Sequence, residues 1–98
     1  MDLKYDEKVD AAAVRVCGPV TPGSIDDTDR LDADRLVHYD ANGLVLKYEF
    51  LNVRRFGVRL DDLKDRDELR RLFAEAGFQE RSWGDPIPTP RRRERTAS

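Results

Sequence analysis

The sequence predicts an α+β fold, an antiparallel β-meander of four to five strands with one C-terminal α-helix packed on one face. Three observations predict it. Asn42-Gly43 lies between two alternating apolar–polar segments, the strongest short-range hairpin signal. Residues 11–17 alternate and end on Gly18-Pro19, which favours a strand over a helix. Behind Asp65, residues Leu69, Leu72, Phe73 and Ala76 fall at i, i+3, i+4 and i+7, one helical stripe. The chain has 98 residues, 39% apolar and 39% charged, so it can fill one modest core but not two.

Residues 2–6 alternate, with Leu3 and Tyr5 facing one way, and predict a first short strand. Asp6-Glu7-Lys8 starts a turn. In the second strand Ala12, Val14 and Val16 point inward. From Ser24 to Leu31 the alternation weakens, because Ile25 and Leu31 share a face with Asp27 and Asp29. That pattern predicts a strand at an edge, where charge blocks edge-to-edge pairing. A two-residue Asn42-Gly43 loop would pair Ala41 with Leu44, Tyr39 with Leu46, Val37 with Tyr48 and Arg35 with Phe50. This register places Val37, Tyr39, Leu44, Leu46, Tyr48 and Phe50 on one face. The other face is mixed: His38, Asp40, Lys47 and Glu49, with Leu36 and Val45 among them. Leu60 and Leu63 lead through an irregular turn into the helix. There Asp65 and Glu68 have capping-box spacing, and Gly77 supplies the left-handed C-terminal position over which Phe78 folds back.

The domain is expected over residues 1–80, with 81–98 a flexible Pro/Arg-rich basic tail. Arg81, Arg91, Arg92, Arg93 and Arg95 face only Asp85 and Glu94 there, so the end is positive while the body is acidic. Pro86, Pro88 and Pro90 favour extended chain.

Several chemistries are excluded at this level. A single Cys17 and a single His38 cannot make an internal disulfide or the usual zinc site, and no cofactor or metal is expected. No apolar run approaches the roughly 18 residues of a membrane helix. The first residues show no secretory leader, so the cytoplasm is the expected compartment. His38 could meet Asp40 on its own face, but no nucleophile or pocket is in view, and a solvated strand residue is the plainer reading. No catalytic residue is assigned, and the chain is not expected to be an enzyme.

Residues 3–54 resemble the small bacterial domain of unknown function 2283 family. The resemblance lies in Tyr5-Asp6, Asp10-Ala11 and Val14-Arg15-Val16. It continues through residues 36–52, where apolar residues lead to an Asp-x-x-Gly turn and a strand with an acidic residue between apolar ones. It implies a non-enzymatic β-meander module, antitoxin-like or immunity-type, with a toxin as protein partner.

Two surfaces offer themselves to partners. Asp26, Asp27, Asp29, Asp32 and Asp34 form a dense acidic run without EF-hand spacing. It suits a solvated edge or a docking surface for a small basic toxin. Arg91, Arg92, Arg93 and Arg95 suit a second protein contact or, as the alternative function, non-specific nucleic-acid association. A third possibility is a homodimer through the mixed face with Leu36, Val45 and Leu51.

Overall fold

The computed structural model describes residues 1–18 and 20–82. Strands β1 (Asp2–Asp6), β2 (Ala11–Arg15), β3 (Asp27–Asp32), β4 (Arg35–Tyr39) and β5 (Val45–Leu51) form one antiparallel sheet. A short helix α1 (Val53–Phe56), strand β6 (Val58–Arg59), helix α2 (Arg66–Glu75) and strand β7 (Glu80–Arg81) follow. The fold is α+β. Strand order across the sheet is β1-β2-β5-β4-β3, so neighbours in sequence pair everywhere except between β2 and β3. There the chain crosses to the far edge through a 3-10 turn at Pro22–Ser24. β3 is therefore an edge strand, as its charge pattern suggests. Among the described residues, no helix is long and apolar enough to cross a membrane.

The β4–β5 hairpin shows how local chemistry corrects the expected turn. The loop has three residues, Ala41 to Gly43, rather than two. The Gly43 N–H donates to the Asp40 carbonyl at 3.0 Å, and the Asp40 N–H donates to the Leu44 carbonyl at 2.9 Å. Gly43 alone takes a positive φ of 81°, while Asn42 does not. The Asp40 carboxylate decides the outcome. It accepts the N–H groups of Asn42 (2.8 Å) and Leu44 (3.0 Å) and so stabilises the longer loop. One extra residue in β5 then restores the register. Tyr39 lies opposite Val45, yet His38 lies opposite Lys47, Val37 opposite Tyr48 and Arg35 opposite Phe50. The two offsets cancel, and the inner pairing is the expected one. At the bulge the faces change: Val45, not Leu46, packs on the core beside Tyr39. Leu44 is 59% exposed. The mixed face consequently lacks Val45, which removes one of the three apolar residues expected for self-association.

The core lies between the inner face of the sheet and α2. Val14, Val37, Tyr48 and Phe50 from the sheet meet Leu69 and Phe73 from the helix. Phe73 packs edge-on against Phe50 at 5.0 Å and against Phe78 at 5.9 Å, while Phe78 reaches Tyr5 at 4.9 Å. Gly77 (φ 87°) ends α2 in a Schellman motif. The Phe78 N–H donates to the Phe73 carbonyl at 2.9 Å and the Gly77 N–H to the Ala74 carbonyl at 3.1 Å. Ala76 is exposed, so the buried stripe is shorter than its spacing suggests.

The capping box at the other end does not form. Asp65 makes no side-chain cap. Its Oδ2 accepts the Tyr48 hydroxyl at 2.8 Å, tying the start of α2 to the central strand. Burial raises the Tyr48 phenol well above its ordinary range, and the Asp65 carboxylate raises it further.

The segment 53–63 contributes more than the expected irregular turn. Val53, Val58, Leu60 and Leu63 are all buried. Asp10, at φ 52°, accepts the N–H groups of Arg54 (2.9 Å) and Arg55 (3.1 Å) and the Tyr5 hydroxyl (2.8 Å). Burial pushes its carboxyl up, but these three donors outweigh burial and hold it below its ordinary value. Gly57 (φ 76°) is required where β6 meets β7, since a Cβ there would lie 2.8 Å from the Arg81 Cγ and 2.9 Å from the Gln79 carbonyl oxygen. Arg70 anchors β7 to α2 through Glu80, at 2.6 and 2.7 Å. Arg81, counted from sequence with the tail, thus belongs to a strand.

Candidate partner-binding edge

The acidic run divides into two groups with different surroundings. Asp32 and Asp34 are part-buried and serve the scaffold. Arg35 is only 4% exposed although it is charged. The register explains this, because Arg35 lies opposite the buried Phe50. Asp32 accepts from the Arg35 Nε at 2.9 Å, and Asp62 accepts from Nη1 and Nη2 at 2.5 and 3.1 Å. The Arg59 carbonyl takes a further bond from Nη1 at 3.0 Å. Burial opposes the charge on Arg35, but hydrogen bonds to Asp62 and Asp32 more than offset it and raise its pKa. The bidentate contact to Arg35 holds the Asp62 carboxyl below its ordinary value. Asp34 accepts the Asn52 side-chain amide at 2.9 Å, and its carbonyl accepts the Leu51 N–H at 2.8 Å. Asp32, Asp34 and Arg35, together with Ala33, Phe50, Leu51, Gly57, Val58, Arg59 and Arg81, border a small cavity.

Asp26, Asp27 and Asp29 are different: all three are exposed. They share a shallow groove with Tyr39, Asp40, Ala41 and Gly43. Asp27 lies opposite Tyr39 and Asp29 opposite Val37, so both stand on the helix-side rim of the outermost strand. Burial raises the Tyr39 phenol, and Asp29 and then Asp27 add to it by placing negative charge beside it.

The intervening residues face the other side. Thr28 Oγ1 is 2.7 Å from His38 Nδ1, and His38 Nε2 is 3.0 Å from Glu49 Oε2. Lys47 Nζ reaches the same Glu49 oxygen at 3.5 Å. Glu49, not Asp40, is thus the carboxylate that orients His38. A hydroxyl, an imidazole and a carboxylate in line could activate a nucleophile. Thr28, however, stands on an exposed edge strand, and neither it nor His38 borders either concavity described above. The relay links edge strand β3 to central strand β5.

Other sequence candidates stay apart. Cys17 is exposed and free. Among the described residues, no group of three or more His, Cys, Asp or Glu side chains could hold a metal ion. Arg91, Arg92, Arg93 and Arg95 lie outside the described residues. No family model, no curated protein and no solved structure matches the chain.

Proposed function

We propose that the chain is a non-enzymatic partner-binding module, antitoxin-like or immunity-type, whose β3 edge receives a basic protein. The observation that carries this reading is the outermost strand itself. Five of the six β3 residues are exposed, and Asp27 and Asp29 project side by side from one rim with Asp26 next to them. A charged edge resists pairing with its own kind and favours a partner of opposite charge. A ribonuclease-type toxin must present a basic surface to its polyanionic substrate, and such a surface suits this rim.

Co-expression with the product of the adjacent gene tests the proposal. The expected result is co-purification that the double substitution Asp27→Lys, Asp29→Lys abolishes. A chain that ignores that product and leaves its toxicity unchanged overturns it.

A further inference from the structure

We propose that an apolar groove on the helix side of β3, β4 and β5 receives one large apolar side chain that the basic partner carries between lysines or arginines. The proposal rests on reading β3 as a docking edge and deepens it.

Helix α2 covers only part of the inner face of the sheet. Phe73 lies on Phe50 and Phe78 reaches Tyr5, so the helix sits towards β1. On the side of β3 and β4, residues 62–64 border a groove of about 340 Å³. Its lining is mostly apolar: Leu31 at the β3 register shift, Val37 and Tyr39 from β4, Val45 and Tyr48 from β5, and Leu63. Val37, Tyr48 and Leu63 are buried members of the core, so the floor is already formed without a ligand. Leu31, Tyr39 and Val45 keep part of their surface open.

Exposed apolar surface gathers at this groove. Among the described residues, the large apolar side chains that stand exposed are Val9, Leu31 and Leu44. Leu31 lines the groove, and Leu44 lies in the chain between Gly43 and Val45, which line it too. A single exposed apolar residue needs no explanation, but a cluster at one concavity marks a contact surface.

The rim defines what flanks the apolar anchor. Tyr39 and Gly43 border both this groove and the acidic one, so the two concavities are continuous. Asp27 and Asp29 stand on the β3 rim, with Asp26 next to them. Asp62 borders the groove opposite them, already bound to Arg35. Among the described residues that line either concavity, Lys64 is the only cation. The field at the mouth is therefore negative. An apolar side chain set among lysines or arginines is drawn to it, and one set among acidic residues is repelled. Two copies of this chain joined groove to groove would bring acidic rim against acidic rim, which disfavours self-association here. The apolar anchor supplies affinity, and the flanking charges supply orientation and rate of encounter.

Titration of the full chain with a blocked pentapeptide, one phenylalanine between two pairs of lysines, tests the proposal by chemical shifts. The methyl signals of Leu31, Val45 and Leu63 should move. The same peptide with serine for phenylalanine should bind about tenfold more weakly. Leu31→Ser, at an exposed position, should weaken the phenylalanine peptide and leave the serine peptide unchanged. Val45→Thr, close in shape, should do the same without disturbing β3. Asp27→Lys with Asp29→Lys should weaken both peptides. Equal binding of the two peptides, or unmoved Val45 and Leu63 methyls, overturns the proposal. Equal binding of the counterpart with glutamates for lysines overturns it as well. Movement of the same methyls when the chain alone is concentrated names a second copy as the occupant, and also overturns it. Co-purification of the adjacent gene's product that Asp27→Lys, Asp29→Lys abolishes, but Leu31→Ser and Val45→Thr leave intact, removes the groove and keeps the partner reading. Discrimination between the peptides without co-purification removes the toxin and keeps the groove's preference for a basic, apolar segment.

Discussion

Removing Asp62 tests whether the buried guanidinium of Arg35 is held by its partners. In Asp62→Ala, Arg35 keeps Asp32 and the Arg59 carbonyl but loses both bonds of the bidentate contact. Breaking a buried pair from one side costs about 3–5 kcal/mol, because a charge is left in low dielectric. The Asp62 side chain is 37% exposed, so water can reach part of the site, and the lower end, about 3 kcal/mol, is expected. For a domain of this size that lowers Tm by roughly 12–24 °C. Replacing both groups with apolar ones, Arg35→Met with Asp62→Leu, should bring stability back to within about 1–2 kcal/mol of the parent, since the buried charge is gone and the Asp32 carboxylate, which loses Arg35 as a partner, is 35% exposed and reaches water. Urea unfolding of the parent, each single variant and the double variant gives the coupling energy. The sign with pH follows from the depressed Asp62 carboxyl. Its contribution is present above the ordinary carboxyl range and is lost as pH falls through the folded value. The acid side of the stability curve should flatten in Asp62→Ala. A loss below about 0.5 kcal/mol, or an unchanged acid limb, would refute the claim that Arg35 depends on this partner.

Phe73→Ala removes the ring between Phe50 and Phe78 and should cost about 3–5 kcal/mol, read from denaturant midpoints. Gly57→Ala should destabilise the protein more than Gly43→Ala. Both have positive φ, but only at Gly57 does a Cβ meet backbone and side-chain atoms; faster exchange at the Val58 amide, which bonds to the Gln79 carbonyl, reports it. The Tyr48 phenol, raised by burial and Asp65, should remain protonated in the folded chain well above pH 10. Its contribution is therefore full below the ordinary tyrosine value and lost as pH rises beyond it, so ultraviolet titration should show delayed ionisation whose amplitude Tyr48→Phe reduces, leaving the raised Tyr5 and Tyr39 phenols. Thr28→Val should cost about 0.5–1.5 kcal/mol by loss of the His38 contact, measured by thermal melting.

Much of the fold was legible because it depends on local chemistry. Alternation identified β1, β2 and the edge character of β3, and the 3.6-residue period with Gly77 identified α2 and its end. The hairpin register was legible through two opposing errors. Asp40 favours a loop one residue longer than Asn-Gly implies, and a bulge in β5 absorbs the difference. Residues 53–63 were not legible, since their burial depends on Asp10, Arg81 and Gln79, which are distant in sequence. The division of the acidic run was hidden because it depends on Arg35 turning inward and on Asn52, which is distant in sequence. Asp32 and Asp34 differ from Asp27 and Asp29 only because Arg35 and Asn52 lie beside them in space. One clue was available: a register that sets Arg35 opposite Phe50 requires an acidic companion for it inside.

The central position of β5 has a kinetic consequence. The β3-β4-β5 unit closes through short links, whereas β2 reaches β5 only across a much longer stretch of chain. Closing the shorter loops costs less entropy, so that unit should collapse first and template the arrival of the N-terminal pair. Alanine substitutions at Val37 should then slow refolding, while those at Val14 should chiefly hasten unfolding.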